Sequence, residues 1–149
     1  MKDRTPSVDA RLRGFNLIEM SIVLGIVGIL SAITMPRAGK FLDSIRVRGA
    51  VTEIASLFST ARHTAIARGA RIGLDIDPAR GTITIFSGQD TLQRREITAV
   101  HDVELAANRT SITYSATGAG YGAANLTMIV SRRQFADTLV VSRLGRVRF

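Results

Sequence analysis

Residues 14–36 read GFNLIEMSIVLGIVGILSAITMP, and this stretch decides how the rest of the chain is organised. Residues 20–35 carry no charged side chain, and residues 15–35 together form one largely apolar run. At ~1.5 Å per residue, a helix of that length is about 32 Å long and can cross the hydrocarbon core of a bilayer. The sequence therefore predicts one transmembrane helix near the N-terminus.

A polar, basic segment, residues 1–13, precedes this run. Its charged residues are Lys2, Arg4, Arg11 and Arg13 against Asp3 and Asp9. Cytoplasmic flanks of membrane spans carry an excess of Lys and Arg. We therefore expect the N-terminus in the cytoplasm and the chain beyond the span on the opposite side of the membrane.

Glu19 is the one ionisable residue within the run. An ionised carboxylate inside an apolar span costs on the order of 2.5 to 3.5 kcal/mol and normally has a partner. If the chain is cut after Gly14, the new α-amino group of Phe15 lies four residues before Glu19. The amine of a neighbouring copy would then pair with this carboxylate and set the register between subunits. The alternative is a Glu19 side chain that snorkels to the cytoplasmic edge of the membrane.

The order Gly14, Phe15 and Glu19, followed by the apolar run and Pro36, resembles the class III signal of type IV prepilins and type II secretion pseudopilins. This resemblance implies that a prepilin peptidase cuts between Gly14 and Phe15 and that Phe15 is then N-methylated. It also implies that Glu19 serves filament assembly and that Pro36 kinks the helix.

Two other interpretations of the N-terminal segment are an ordinary secretory signal peptide and a plain signal anchor. Glu19 is unusual at the start of a secretory signal, and no convincing A-x-A cleavage site follows the apolar run before Pro36. The prepilin interpretation divides the chain into a cleaved cytoplasmic leader (1–14), a transmembrane and assembly helix (15–36) and a periplasmic globular domain (37–149).

Beyond Pro36, apolar residues continue at helical spacing up to Gly69, a plausible helix stop. This apolar stripe comprises Ala38, Phe41, Leu42, Ile45, Val51, Ile54, Leu57, Phe58, Ala61 and Ala65. After Gly69 the period changes to the alternation of strands, and residues 77–81 (DPARG) form a turn signal between two strands of a β-hairpin. Further strands are predicted at residues 97–100, 111–115, 126–130, 138–142 and 146–149.

These elements predict an α+β fold in which one face of a long helix covers an antiparallel sheet. Residues 57–69 (LFSTARHTAIARG) and 140–148 (VVSRLGRVR) resemble the minor pseudopilins called GspH or FimT. The resemblance implies a pilin-like fold, with a membrane-spanning lower half and an amphipathic upper half of the helix. It also implies a single-pass inner-membrane protein that joins a type II secretion pseudopilus or a type IV pilus. The implied partners are other pilin or pseudopilin subunits and the prepilin peptidase.

Enzymatic chemistry finds little support in the sequence. The chain has no cysteine, which excludes thiol catalysis, thiolate metal sites and disulfides. The two histidines, His63 and His101, are far apart, and Asp75 and Asp77 lack the spacing of a calcium loop. We therefore expect a non-enzymatic protein with no cofactor and no metal site.

The C-terminal GRVR, residues 145–148, suggests a second function. On a strand, Arg146 and Arg148 project from one face about 7 Å apart, near the spacing of successive phosphates, while Val147 and Phe149 anchor the other face. In the FimT branch this ending is associated with DNA capture during natural transformation. Other arginines that would extend such a DNA-binding patch are Arg143, Arg132 and Arg133.

The overall charge of the chain does not decide whether the protein binds DNA. It holds 20 Lys and Arg residues against 12 Asp and Glu residues, so arginines are expected everywhere on its surface. Related secretion pseudopilins also tend to end in a Gly-Arg strand. The sequence is therefore consistent with two alternatives, a filament subunit without DNA affinity and a minor pilin that binds DNA.

Overall fold

The computed structural model describes residues 16–122 and 125–149, without the side chains of Pro36 and Arg37. Two compact units divide the chain, Met1–Ala38 and Gly39–Phe149. In the described part of the first unit, every large apolar side chain of the run is exposed. Its 18-residue window of highest mean hydropathy reaches 2.2, so the helix is long and apolar enough to cross a membrane.

The predicted long helix is confirmed as α1, Leu17–Arg68, which includes Pro36. Gly69 follows it with φ +59°, a left-handed conformation that favours glycine. The Gly69 N–H donates to the carbonyl of Ile66 at 3.2 Å, and the Ala70 N–H donates to that of Ala65 at 3.2 Å. These bonds satisfy carbonyls that the last helical turn would otherwise leave open, which explains why the helix stops here.

Within the second unit, one face of α1 lies in the core. The buried residues on this face are Val47, Ala50, Val51, Ile54, Leu57, Phe58, Ala61 and Ala65. The lower part of the predicted stripe behaves differently, because Phe41, Leu42 and Ile45 are exposed. The stripe therefore predicts the core-facing side of α1 correctly only from Val51 upward.

The strands form two four-stranded sheets, where the sequence predicts one. The first has the order β3-β2-β1-β5, with β1 Ile72–Asp77, β2 Thr82–Ser87, β3 Asp90–Glu96 and β5 Ser111–Tyr114. The second has the order β4-β6-β7-β8, with β4 Glu104–Ala107, β6 Leu126–Arg132, β7 Phe135–Val141 and β8 Val147–Arg148. All the pairs are antiparallel, and the α+β fold is confirmed.

The predicted strand at residues 97–100 is wrong, because the chain forms a short helix there, α2 Ile97–His101. The segment ITAV is rich in β-branched residues, but Ile97 is fully buried. The N–H groups of Ile97 and Thr98 both donate to the carbonyl of Gly81, at 2.9 and 3.3 Å. A side chain on Gly81 would collide with Thr98, so the glycine of the hairpin turn makes room for the first turn of α2.

A candidate interface at the C-terminal strand

The C-terminal strand β8 is short and lies at the edge of its sheet, where β7 is its one partner among the described strands. Val141 lies opposite Val147, and Val140 lies opposite Arg148. The turn before β8 is closed by the Ser142 N–H, which donates to the Arg146 carbonyl at 2.9 Å. Val147 is half-buried and packs against the core, so this short strand is attached to the domain by a side chain as well as by its backbone.

Gly145 fixes where this strand begins. Its φ of +73° lies in the left-handed region, where other residues are strained. A Cβ atom on Gly145 would also lie 2.7 Å from the Gly118 carbonyl oxygen and 2.9 Å from the Tyr114 ring. Packing therefore requires glycine at the first position of GRVR, because the turn before β8 and the loop after β5 are in contact at this residue.

Arg62 on α1 completes this contact. Its Nε donates to the Gly118 carbonyl at 3.0 Å, and its Cδ lies 3.3 Å from where a Gly145 Cβ would be. The Tyr114 hydroxyl lies in the same region and has no hydrogen-bond partner among the described residues. Burial raises the pKa of Tyr114 to about 12, against a smaller opposing effect of the Arg62 charge.

Three arginines line one groove between α1 and β8. The groove has a volume of about 460 Å³ and is lined by Ala55, Ser59, Arg62, Gly145, Arg146, Val147, Arg148 and Phe149. Among the described residues, no acidic side chain lines it, and neither Arg146 nor Arg148 makes an ion pair. The lining therefore carries three guanidinium groups and no side-chain carboxylate from the described chain.

The arginines that line the groove are not the same set as those that the sequence suggests for a DNA-binding patch. Arg146 and Arg148 line it together, and Arg62 joins them from the helix. Arg143 is exposed but does not line the groove, and the Phe149 side chain is exposed, whereas the sequence predicts that it anchors. Arg62 stands in the helical segment that resembles the pseudopilins, but nothing in its spacing indicates a neighbour at the C-terminus.

Arg132 and Arg133 belong to a separate cluster at the β6–β7 turn. The Arg132 Nε donates to a carboxylate oxygen of Asp43 at 2.6 Å, and Arg132 also contacts the carboxylate of Asp102. Arg133 lies 3.5 Å from Asp43, and Arg46 lies 2.9 Å from Asp102. We call these five residues, Asp43, Arg46, Asp102, Arg132 and Arg133, the ion-pair cluster.

Asp43 is the buried member of the ion-pair cluster, with 6% of its surface exposed. A hydrogen bond from Arg132 holds the pKa of Asp43 below its ordinary value, against the opposing effect of burial. The same arginine lowers the pKa of Asp102. Arg132 is therefore committed to two carboxylates that stay ionised, and its charge is neutralised inside the protein.

The N-terminal site residues are only partly within the described chain. Gly14 and Phe15, the predicted cleavage site, lie outside the described residues. Glu19 lies in the first turn of α1 and is exposed. Pro36 lies within α1.

The two histidines, His63 and His101, lie in different environments. His101 bonds to the carboxylate of Glu53 at 2.7 Å, and not to the adjacent Asp102. His63 lies on the exposed side of α1 among hydroxyl-bearing residues. Within the described ranges, 16–122 and 125–149, no three His, Cys, Asp or Glu side chains are grouped as a metal site requires.

Residues 50–145 match the family model described as Type II transport protein GspH. This chain belongs to the GspH family. The match begins in the upper part of α1 and ends at Gly145, so it covers the groove-forming half of the helix and the turn before β8.

Curated relatives of this GspH-family chain include two proteins of Pseudomonas aeruginosa called "Fimbrial protein". Each is 42% identical over 80 residues, which is 54% of this chain and 51% of the relative. The chain thus spans about half the length of the curated relatives it matches.

Two solved structures share the fold of this GspH-family chain. The type IV minor pilin FimU of Pseudomonas aeruginosa superposes with a TM-score of 0.61 at 15% identity, over 72% of this chain and 90% of FimU. The minor pseudopilin EpsH from the type 2 secretion system of Vibrio cholerae superposes with a TM-score of 0.54 at 11% identity, over 69% of this chain and 94% of EpsH. The pilin-like fold predicted from the sequence is confirmed.

Proposed function

We propose that this protein is a non-enzymatic minor pilin or minor pseudopilin. It is anchored in the inner membrane by the lower half of α1, with its N-terminus in the cytoplasm and residues 37–149 in the periplasm. It then leaves the membrane to join other pilin or pseudopilin subunits in a type IV pilus or a type II secretion pseudopilus. There it takes part in filament initiation and, in a secretion system, in protein secretion. The observation that carries this proposal is a GspH-family domain attached to a helix that is apolar enough to span a membrane.

The assembly step depends on Glu19, which pairs with the α-amino group of Phe15 on another subunit. We expect Glu19→Ala to leave the protein processed and membrane-bound but absent from purified filaments, because the apolar helix then lacks its charged partner. Immunoblots of membrane and sheared-filament fractions measure this. Glu19→Asp is the matched control, since it keeps the charge. Normal incorporation of the alanine variant would contradict the proposed assembly step.

Processing is tested at Gly14. The prepilin peptidase is expected to cut between Gly14 and Phe15, followed by N-methylation of Phe15. Replacing Gly14 with a bulky residue, as in Gly14→Leu, should block cleavage and leave the full-length chain in the inner membrane. Intact-mass spectrometry of the purified protein distinguishes the cut, methylated and uncut forms. A Gly14→Leu chain that begins at Phe15 would contradict this cleavage site.

A second candidate function is DNA binding through the groove at β8. The observation that favours it is the set of three groove arginines, Arg62, Arg146 and Arg148, with no acidic side chain among the described residues that line the groove. Unbalanced guanidinium groups bind phosphate backbones by charge and without preference for sequence. On this proposal the protein would capture extracellular DNA for natural transformation.

Mobility shifts with duplex DNA at several salt concentrations test this second function. The soluble fragment, residues 37–149, is compared with an Arg146→Gln, Arg148→Gln double variant. The loss of two phosphate contacts should weaken binding and reduce the log–log salt slope by about 1.8. The matched control is Arg94→Gln, Arg109→Gln, which removes two exposed arginines that make no ion pair with described residues. If both double variants lose affinity equally, the groove is not the DNA site.

A further inference from the structure

One edge of the second sheet is open beside the groove at β8. Strand β8 pairs with β7 on one side, and no strand among the described residues pairs with its other side. Residues 145–149 all line the groove. Because side chains from both faces of β8 are among them, the groove lies at the edge of the strand and not under one face. An unpaired edge of this kind can accept a further strand through its backbone.

The hydrogen bonds of the turn before β8 set which backbone groups face the open edge. The Arg146 carbonyl accepts a bond from the Ser142 N–H at 2.9 Å, on the side of β7. In an antiparallel ladder, consecutive residues direct their N–H and C=O groups to opposite sides. The N–H and C=O of Val147 therefore point away from β7. This residue offers one donor and one acceptor to an incoming strand.

Two arginines flank these backbone groups. Arg148 lies opposite Val140, which is 43% exposed, so Arg148 is on the outer face of the second sheet. Val147 lies opposite the buried Val141, on the inner face. Alternation places Arg146 on the same face as Arg148, about 7 Å away. Carboxylates at alternate positions of an added strand would lie beside these two guanidinium groups.

The helix wall of the groove suits the other face of such a strand. Ala55, Ser59 and Arg62 stand at positions i, i+4 and i+7, which share one face of a helix. The short side chains of Ala55 and Ser59 leave space opposite β8. Val147, across the groove, packs against the core. Small or apolar side chains of an added strand would therefore face α1, while its acidic side chains face outward.

We propose that the groove receives an extended acidic segment of another filament subunit, which adds to the second sheet as a further strand beside β8. This inference rests on the proposed role as a filament subunit. Backbone pairing to Val147 aligns the incoming strand, and its carboxylates meet Arg146 and Arg148. In strand addition, main-chain hydrogen bonds give affinity and alternate side chains give specificity. The partner is thus defined by acidic residues at every second position.

Charge selects this partner over a second copy of the chain. Two copies that paired edge to edge at β8 would bring like charges together, which opposes pairing. A DNA backbone offers phosphates to the arginines but no N–H donor to the outward carbonyl of Val147. An acidic strand satisfies the guanidinium groups and the backbone groups together. DNA and the acidic strand are therefore alternative occupants of one groove.

The test uses the full chain in a non-ionic detergent and a synthetic eight-residue peptide of alternating Glu and Val. Hydrogen exchange, resolved to single amides by mass spectrometry, follows the Val147 N–H. The peptide should slow its exchange several-fold, because a free edge amide becomes hydrogen-bonded. The same peptide methylated at every backbone nitrogen keeps the charge but cannot pair as a strand, so it should leave the exchange unchanged. Equal effects of the two peptides, or no effect of either, would overturn strand addition.

Charge dependence is measured by fluorescence anisotropy of the labelled Glu-Val peptide. Arg146→Gln, Arg148→Gln should weaken its binding roughly three- to tenfold, as expected for the loss of two exposed ion pairs. Arg94→Gln, Arg109→Gln is the matched control and should leave the affinity unchanged. Equal affinities of the two double variants would overturn the role of the groove arginines. If duplex DNA binds with this arginine dependence and the peptide does not bind, the groove belongs to DNA and the inference fails.

Sheared-filament fractions of cells that carry the wild-type chain tell the two levels of failure apart. Absence of the wild-type chain from filaments would contradict the proposed role as a filament subunit. If the chain is present there but the Glu-Val peptide does not protect Val147, only the inference about the groove fails.

Discussion

Two arginine pairs that look equivalent in the sequence differ in whether acidic side chains lie beside them. Arg132 and Arg133 lie beside the buried carboxylate of Asp43, whereas Arg146 and Arg148 line an open groove that has no acidic side chain among its described lining residues. A guanidinium bonded to two carboxylates is held inside the protein and is unavailable to a ligand. A basic residue becomes a candidate for binding only when the fold leaves it without an internal partner.

The largest effect on stability is expected from Arg132→Gln. This change leaves Asp43 buried beside the weaker, more distant contact of Arg133, and an uncompensated buried charge is strongly destabilising. Urea unfolding of the soluble fragment, residues 37–149, measures the loss. The control is Arg133→Gln, which should cost much less because Arg133 is mostly exposed and lies 3.5 Å from Asp43. Equal losses for the two variants would show that the ion-pair cluster does not depend on Arg132.

Gly145→Ala should give the next largest effect, about 1 to 3 kcal/mol in the free energy of unfolding. The alanine methyl would meet the Gly118 carbonyl oxygen in addition to the strain of a positive φ. Gly88→Ala is the matched control, since Gly88 has φ +62° but no atom within 4 Å of the added Cβ. The difference between the two variants isolates the contact that positions β8, and identical losses would mean that this contact contributes nothing.

Acid should remove the contribution of the ion-pair cluster. The pKa values of Asp43 and Asp102 are lowered in the folded state from an ordinary value of 3.8, mainly by the hydrogen bonds of Arg132. The unfolded chain then binds more protons, so this stabilisation is complete above pH 3.8 and is lost as the pH falls through the folded-state values. The stability gap between the wild-type fragment and Arg132→Gln should therefore narrow below about pH 4. A constant gap down to pH 2 would contradict the role of these carboxylates.

The smallest effect on stability is expected from the Arg146→Gln, Arg148→Gln double variant. Both side chains are exposed and without ion pairs among the described residues, so the free energy of unfolding should change by less than about 0.5 kcal/mol. Thermal unfolding monitored by circular dichroism is sufficient to measure this. A loss of unfolding free energy comparable to that of Arg132→Gln would show that the groove arginines stabilise the fold as much as Arg132 does.

Local patterns in the sequence predict much of the fold. The apolar run, the helix stop at Gly69 and the hairpin turn at residues 77–81 each depend on nearby residues, and the structure shows all three. Strand β3 is missed because its sequence DTLQRRE is polar, and it is an edge strand held by backbone pairing to β2. The helix α2 is missed because burial of Ile97 and two bonds to Gly81 override the strand preference of β-branched residues.

The candidate interface could be predicted only in part. Arg146 and Arg148 follow from alternation along a strand, which is a local property. Arg62 requires knowledge that α1 passes beside the C-terminus, more than 80 residues later in the chain. Arg132 does not belong to the groove because it bonds to Asp43, which lies 89 positions earlier in the chain. Long-range pairings of this kind leave no periodic signal in a single sequence.

The small size of β8 bears on how the protein fluctuates. A terminal strand of two residues, paired on one side only, opens at a small fraction of the free energy that unfolding of the whole domain requires. Its amide hydrogens should therefore exchange with solvent far faster than those of the central strand β6. We therefore expect the edge next to the groove to open and re-form locally while the core of the domain stays folded.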